Sequence, residues 1–522
     1  MIFKSPYPDI AIPEVPLTDF ILERAPQFSA KSALIDGATG QTLTYGELVA
    51  AVDRVAAGLS AQGFRKGDVC AIHCLNCPEY AIAFLAVAAV GGVCTMAPPL
   101  FNESELTTQL KDSGANYLLT DSRLGTTGLA AARAAGVHEV FVLGEAAGAV
   151  SFSTLLDHNG ARPRVEIDPR EDLVALPYSS GTTGWPKGVM LTHYNMVAML
   201  CLMEATDVLS RDDKTICAVP CYHLYGSHIV MNMGLRTGAT VVTLPKYDLE
   251  TFLRTMQDHA ITVSPAVPPI VLELSRSPLV DRFDLSTLTT VFSGAAPLSV
   301  EVAKACCERL NVRINYGYGM TELSPLSHLT YRHAEGDKPE STGYCLPNTF
   351  CKIVDVETKA ELPAGASGEV WVRGPQVMKG YLGHPEATAE IIDDDGWLHT
   401  GDIGYADEDG ALYIVDRLKE LIKYKGRQVA PAELEALLLS HPLIADAAVI
   451  PSPDADAGEI PVAFVVAKES VSVDDIINFV RERVAPHKRI RRVEFVDLIP
   501  RNATGKILRR ELVERVRKRV RQ

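Results

Sequence analysis

Apolar and polar positions change texture twice along this chain. Over residues 118–316, short apolar runs rich in β-branched residues alternate with segments of helical period. Thr240-Val-Val-Thr-Leu precedes a helical pattern at 248–259, and Ile261-Thr-Val-Ser follows it. Thr289-Thr-Val-Phe-Ser, a helical pattern at 299–310 and Val312-Arg-Ile-Asn continue the series. Such alternation predicts α/β folding around mostly parallel sheets. An earlier series, with Tyr117-Leu-Leu-Thr and a strand at 140–143, predicts a second sheet of the same kind. From Phe350 the chain turns to short strands and glycine-rich turns, such as Gly368-Glu-Val-Trp-Val-Arg-Gly, which predicts a small β-barrel-like unit. Beyond Leu418 a compact α+β unit is expected, with helices at 432–440 and 473–484 and strands at 447–451 and 462–466. The fold class expected is α/β: a large N-terminal domain of two α/β sheets plus a small β-barrel, then a small α+β C-terminal domain. The joint Arg417-Leu-Lys-Glu-Leu has neither glycine nor proline and reads as a charged hinge. The boundaries expected are 1–416, a hinge at 417–419, and 420–522.

Length and charge narrow the function class. A chain of 522 residues can bury a large core. Its formal charge of −15 disfavours nucleic acid and anionic membrane, so an anionic ligand must be drawn in by local basic groups. The basic run at 509–519 alternates with Glu511, Leu512, Val513 and Glu514 and reads as the solvated face of a last helix, ahead of a nucleic-acid contact. The apolar stretch at 80–93 is too short to cross a bilayer and reads as a buried helix. Met1-Ile-Phe-Lys-Ser-Pro lacks the order of a signal peptide, and the final Arg-Val-Arg-Gln is no peroxisomal tripeptide. Eleven cysteines, an odd number, argue for a reducing cytoplasm. Cys74 and Cys77 form one C-x-x-C beside Cys70 and His73 without a second pair at finger spacing, which favours core cysteines over zinc ligands.

The strongest local signal is Ser179-Ser180-Gly181-Thr182-Thr183-Gly184-Trp-Pro-Lys187-Gly, after an apolar strand at 173–178 and before Val189-Met-Leu. Its glycines and hydroxyls let the backbone bend and aim donors at phosphate oxygens, and Lys187 adds charge. The order Lys-Gly excludes a Walker A loop. The competing reading is an ordinary hairpin loop, which composition this biased disfavours. Taken singly, Asp402 and Glu322 read as caps and Lys506 as a surface lysine.

Together with Tyr316-Gly-Tyr-Gly-Met-Thr321-Glu322, Thr400-Gly-Asp402, Asp416-Arg417-Leu-Lys419-Glu-Leu-Ile-Lys423 and Thr504-Gly-Lys506-Ile-Leu-Arg, that loop makes the chain resemble the adenylate-forming superfamily of acyl-CoA synthetases, adenylation domains and luciferases. Lys423-Tyr-Lys425-Gly426-Arg-Gln428-Val-Ala-Pro-Ala-Glu-Leu-Glu and Ser293-Gly-Ala-Ala-Pro-Leu draw the likeness towards 4-coumarate–CoA ligase-type enzymes. The resemblance implies ATP, Mg²⁺ and coenzyme A as cosubstrates and cofactor, a small carboxylic acid as substrate, and a C-terminal domain that swings between an adenylating and a thioester-forming pose. It implies that Thr321 meets the α-phosphate, that Glu322 helps hold Mg²⁺, and that Asp402 accepts from the ribose hydroxyls with Arg417 nearby. Tyr316, Gly317 and Ala295 would line the adenine. Lys506 would orient the acid against the α-phosphate, with Lys419 at the hinge. Lys423 and Gln428 would serve the same site, and Lys246, Lys425 and Gly426 would meet coenzyme A. Tyr225, Ile229, Phe292, Ala295, Gly317, Gly319, Pro325 and Leu326 would line the acyl pocket. His223, in Pro220-Cys-Tyr-His-Leu-Tyr, fits both a gate beside the acyl carboxylate and a satisfied core histidine. Trp371 stands where the coumarate enzymes carry cysteine, and Tyr316 where they carry glutamine, which loosens the tie to plant-like phenylpropanoids. The matching positions of Ile229 and Phe292 are serine and methionine in those enzymes. Rival readings are a loading enzyme for a carrier protein, a luciferase-type oxygenase and an inactive nucleotide-binding regulator.

Overall fold

A computed structural model describes residues 1–179, 186–331, 338, 340–425, 427–454, 456–502 and 505–520, the side chains of 517–520 excepted. One sheet is built on the parallel strands Val93–Met96, Val69–His73, Ala115–Asp121 and Glu139–Leu143, neighbours in that order. Their apolar runs are continuous rather than alternating because helices cover both faces. Leu173–Ala175 joins them in parallel, and Lys187–Thr192 adds antiparallel. The single strand expected at 173–178 is broken into Leu173–Ala175 and Tyr178–Ser179. Pro177 between them has no N–H to give to a ladder, although its carbonyl accepts from Val189.

The second sheet runs Arg313–Tyr318, Thr290–Ser293, Val263–Ala266, Lys214–Cys217, Thr240–Thr243 and Ser32–Asp36, all parallel, with antiparallel strands at both edges. Arg313–Tyr318 continues past the expected end at Asn315 and carries the strand into the Tyr316–Glu322 motif. The helix Pro78–Ala89, apolar on nearly every side, is buried in the core that both sheets share. Cys70, Cys74 and Cys77 are buried in the same core.

The small unit after Phe350 is an antiparallel sheet of five strands, in the order Ile2–Lys4, Phe350–Val354, Gly368–Arg373, Leu398–Ala406, Leu412–Arg417. Its two edge strands do not pair with each other among the described residues, so it is an open sheet rather than the barrel-like unit expected. The N-terminal strand supplies one edge, which no local pattern announced.

The C-terminal unit packs the helices Pro431–Leu439 and Val473–Arg481 on the hairpin Ile444–Asp454/Gly458–Ala467 around its own core of Ile422, Leu434, Val449, Ala463 and Ile476. The last helix, Arg509–Val520, exposes Arg510 and Arg515 and buries Leu512 and Val516 against Ile450 and Phe464, while Arg509, in the run expected to be solvated, is turned inward.

Candidate active site

In the second sheet the chain runs from Lys214–Cys217 to a neighbour on one side, Thr240–Thr243, and then to one on the other, Val263–Ala266. Ligands of open parallel sheets settle beyond the carboxyl ends of the strands at such a reversal. The loops leaving those ends hold His223, Gly294 and Ala295.

After His223 the segment Tyr225–Asn232 winds as a π-helix, a rare form that is frequent at functional sites. The Tyr225 hydroxyl donates to the Phe292 carbonyl at 2.5 Å and takes the Ala266 N–H at 3.2 Å. Its ring lies 5.9 Å from that of Phe292. A Cβ on Gly317 would stand 3.0 Å from Leu326 and 3.1 Å from Phe292, and one on Gly319 would stand 2.0 Å from the Pro325 carbonyl oxygen. Position 319 therefore needs glycine for close approach, and a side chain at 317 would press on Leu326 and Phe292. The structure thus brings Tyr225, Phe292, Gly317, Gly319, Pro325 and Leu326 together, and Ile229 is buried on the π-helix.

Glu322 is 2% exposed at the short 3₁₀ turn Thr321–Leu323. Its Oε1 accepts from the Ser179 hydroxyl at 2.6 Å and the Tyr381 hydroxyl at 2.7 Å. Lys187 lies over the Tyr381 ring at 5.2 Å. The ends of the Ser/Thr/Gly loop, a buried carboxylate and an ammonium therefore converge. Ser180, Gly181, Thr182, Thr183 and Gly184 lie outside the described residues, as does Gly426. A hard divalent cation fits here: one buried carboxylate suits Mg²⁺, which takes few protein ligands and completes its shell with phosphate oxygens and water.

Asp402 sits in the strand Leu398–Ala406, opposite Arg417 in the next strand. Its carboxylate accepts from the Tyr318 hydroxyl at 2.7 Å and lies 3.2 Å from Arg417 Nε. Burial raises its pKa, and Arg417 and Tyr318 pull it back. The Tyr316 N–H donates to the Thr330 hydroxyl at 2.7 Å and the Thr330 N–H returns to the Tyr316 carbonyl at 2.9 Å, and Ala295 holds φ at +72° on an exposed turn. A non-glycine residue there marks local strain of the kind that clusters at sites.

Lys506 comes from the C-terminal unit. Gly505 packs so closely on Pro269 of the large domain that a Cβ would stand 3.0 Å away. Burial lowers the Lys506 pKa to about 8, helped by the positive charge of Arg417, while Glu420 and Asp402 oppose. Burial likewise pushes His223 down to about 4, and the Lys506 charge adds to it, so His223 is neutral at pH 7. Partial burial and Arg417 lower the Lys419 pKa. Arg509 bridges Glu420, at 2.8 Å, and Glu435, at 3.1 Å, just past the hinge. Asp416 accepts the Ala432 N–H at 2.9 Å across the joint, and burial raises its pKa to about 6.

A pH dependence follows from Lys506. If its ammonium is needed, kcat/KM for ATP in the adenylation step should fall about tenfold per pH unit above about 8. The kcat limb should lie higher, because bound phosphates restore the charge. Lys506→Arg, charged at every accessible pH, should lose the limb even if slower. A flat kcat/KM profile from pH 7 to 10 in the native protein would rule out this role.

Four expected residues stay apart from this cluster. Lys246 is exposed after the strand Thr240–Thr243. Lys423 and Gln428 are register partners on the hairpin Ile422–Tyr424/Arg427–Val429, and their side chains are exposed, as is that of Lys425. Conversely, Tyr318, Tyr381, Glu420 and Arg509 join the site without having been singled out. Tyr318 had a signal, since strand alternation puts it on the face of Tyr316. Tyr381 had none, being 59 residues from Glu322.

Comparison with known proteins agrees with this geometry. The profile of the AMP-binding enzyme family matches residues 21–382, and that of the AMP-binding enzyme C-terminal domain matches 433–506. 4-Coumarate–CoA ligase 5 of Oryza sativa subsp. japonica is 44% identical over 526 residues, covering 98% of this chain and 96% of its own. ATP-bound MatB from Rhodopseudomonas palustris superposes with a TM-score of 0.88 at 30% identity, covering 96% of this chain and 99% of that one. The anthranilate CoA ligase AuaEII in complex with anthranoyl-AMP does so with a TM-score of 0.89 at 25% identity, covering 98% and 99%.

Proposed function

This chain belongs to the AMP-binding enzyme family, and from that premise we propose how its own residues divide the work of an AMP-forming acid–CoA ligase. The reaction is ATP plus a carboxylic acid to acyl-AMP and pyrophosphate, then coenzyme A to acyl-CoA and AMP. A carboxylate is a poor acylating agent because oxide would have to leave, and adenylation supplies a better leaving group. The observation that carries the division is that Lys506, from the C-terminal unit, shares its electrostatic surroundings with Asp402 and His223 of the large domain.

Lys506 orients the acid's oxygen against the α-phosphorus and offsets the charge that develops there. Neutral His223 walls the acyl carboxylate without adding charge. Asp402 takes the ribose hydroxyls, Tyr316 and Ala295 flank the adenine, and Thr321 meets the α-phosphate. Glu322 would hold Mg²⁺, which neutralises triphosphate charge when bound. Ser179 and Tyr381 fix that carboxylate. For the second step, rotation about 417–419 would withdraw Lys506 and bring Lys423, Lys425 and Gln428 to the large domain, with Lys246 on coenzyme A.

For the acid, the lining favours an aromatic or medium-chain acid without a distal hydrogen-bonding group. Ile229 and Phe292 are apolar, and the Tyr225 proton is committed to the Phe292 carbonyl. An unpaired hydroxyl buried against them costs about 1–3 kcal/mol. Cinnamate should be used at least as well as 4-coumarate, and Ile229→Ser should shift the kcat/KM ratio towards 4-coumarate roughly fivefold or more. A strong native preference for 4-coumarate, untouched by the serine, would place Ile229 away from the distal end.

Pyrophosphate release on mixing with ATP and a panel of acids tests adenylation, and AMP release dependent on free coenzyme A separates a ligase from a carrier-loading enzyme. No helix among the described residues is long and apolar enough to cross a membrane. A reducing cytoplasm is the compartment that suits its cysteines, which form no disulfide among the described residues.

A further inference from the structure

We propose that Arg501, held by Asp446, is the positioning residue that keeps Lys506 in its adenylating place. This rests on the reading of Lys506 as the adenylating cation. Lys506 stands in a turn closed by an antiparallel bridge between Arg501 and Ile507. Asn502 donates its N–H to the Lys506 carbonyl at 2.9 Å, and the Lys506 N–H returns to Asn502 Oδ1 at 2.9 Å. Those bonds close the turn on itself but do not fix it to the body of the domain.

Arg501 does. Its Nη1 donates to the Gly505 carbonyl at 2.8 Å, one peptide before Lys506. Its Nη2 and Nε donate to the two carboxylate oxygens of Asp446 at 2.8 and 3.3 Å. Asp446 lies in the strand Ile444–Asp454, paired with Val466, in the longest hairpin of the C-terminal unit. The planar fork of a guanidinium can span a carboxylate and a carbonyl at once, which a single ammonium does less rigidly. On the other side of the turn, Gly505, at φ +79°, packs on Pro269. The peptide that launches the Lys506 side chain is therefore held between a rigid strand and the large domain.

That clamp matters because the Lys506 ammonium is placed where burial disfavours its charge. A flexible side chain on a loosened turn would return to water, and a misplacement of about 1 Å can cost as much as 10²-fold in rate. The Arg501–Asp446 contact lies wholly within the C-terminal unit. Its loss should therefore act only through Lys506, in the first half-reaction.

The test measures acid-dependent ATP–pyrophosphate exchange and thioester formation from supplied acyl-AMP in the full-length protein, with thermal melting alongside. Arg501→Gln and Asp446→Asn should each lower exchange about tenfold or more while leaving thioester formation within about twofold. Arg501→Lys, able to keep one of the two contacts, should fall between. In a Lys506→Ala background, Arg501→Gln should cause no further loss, since coupled groups are not additive. Equal loss in both half-reactions, or further loss in the Lys506→Ala background, would show a merely structural role and overturn the proposal. So would unchanged exchange in Arg501→Gln when Lys506→Ala abolishes it. Unchanged exchange in Lys506→Ala itself would instead overturn the reading of Lys506, and the clamp with it.

Discussion

Lys506→Ala is expected to lower acid-dependent ATP–pyrophosphate exchange by roughly 10²-fold or more while sparing thioester formation from supplied acyl-AMP. The ammonium is carried by the C-terminal unit, and its field reaches both His223 and Asp402 of the large domain. A fixed charge aimed at the reacting oxygens works best where water is excluded, and the lowered pKa of Lys506 reports that exclusion. The same shift predicts what the substitution does to stability. A lysine whose pKa falls on folding is charged at a cost below about pH 8, and the cost is relieved as pH rises from there towards the unfolded value. Removing the ammonium at pH 7 should therefore leave the melting temperature unchanged or slightly raised. Loss of both half-reactions together with a lower melting temperature would mean that the alanine damages the fold, and Lys506 would lose its assigned role.

Asp402→Asn should give the opposite kinetic pattern, weakening the nucleotide in both half-reactions. The carboxylate is 5% exposed and faces Tyr318 and Arg417. Hydrogen bonds to a charged acceptor contribute about 1.5–3 kcal/mol each, so on the proposed ribose role losing the charge should raise KM for ATP, and Kd for AMP, roughly 10- to 100-fold. The fold should tolerate the change. The asparagine amide keeps an oxygen for the Tyr318 hydroxyl, and Arg417, whose side chain is 32% exposed, can turn to water. Burial already penalises the Asp402 charge in the free protein, so its removal costs little stability. Calorimetric titration with AMP and thermal melting decide the matter. An unchanged AMP affinity would remove Asp402 from the ribose, and a lowered melting temperature with weak binding would make it a structural carboxylate.

The two substitutions separate roles that one carboxylate–lysine contact would blur. Asp402 belongs to the large domain, whereas Lys506 is carried by the C-terminal unit. Gly505 packs against Pro269 where the two units meet.

Much of this was legible in the sequence, for reasons that are local. Strand and helix periods placed the parallel strands from Thr240 to Asn315, because a strand buried on both faces must be apolar throughout and a helix must repeat every turn. The composition of the Ser179–Lys187 loop raised the expectation of phosphate chemistry, although residues 180–185 lie outside the described ones. Motif order along the chain gave the adenylate-forming resemblance. Where local signals ended, so did the reading. Pro177 broke a strand that apolar character alone had joined, and Ile2–Lys4 became the edge of a sheet by pairing with Phe350–Val354, at the far end of the large domain's sequence. The contacts of Ser179 and Tyr381 with Glu322, of Tyr318 with Asp402, and of Arg501 with Asp446 span 143, 59, 84 and 55 residues. No strand or helix period reaches that far. Such pairs are decided by sheet register and by how one layer packs on another. The protonation of Lys506 and His223 was decided there too, because a pKa depends on how much water the whole fold removes from around the group.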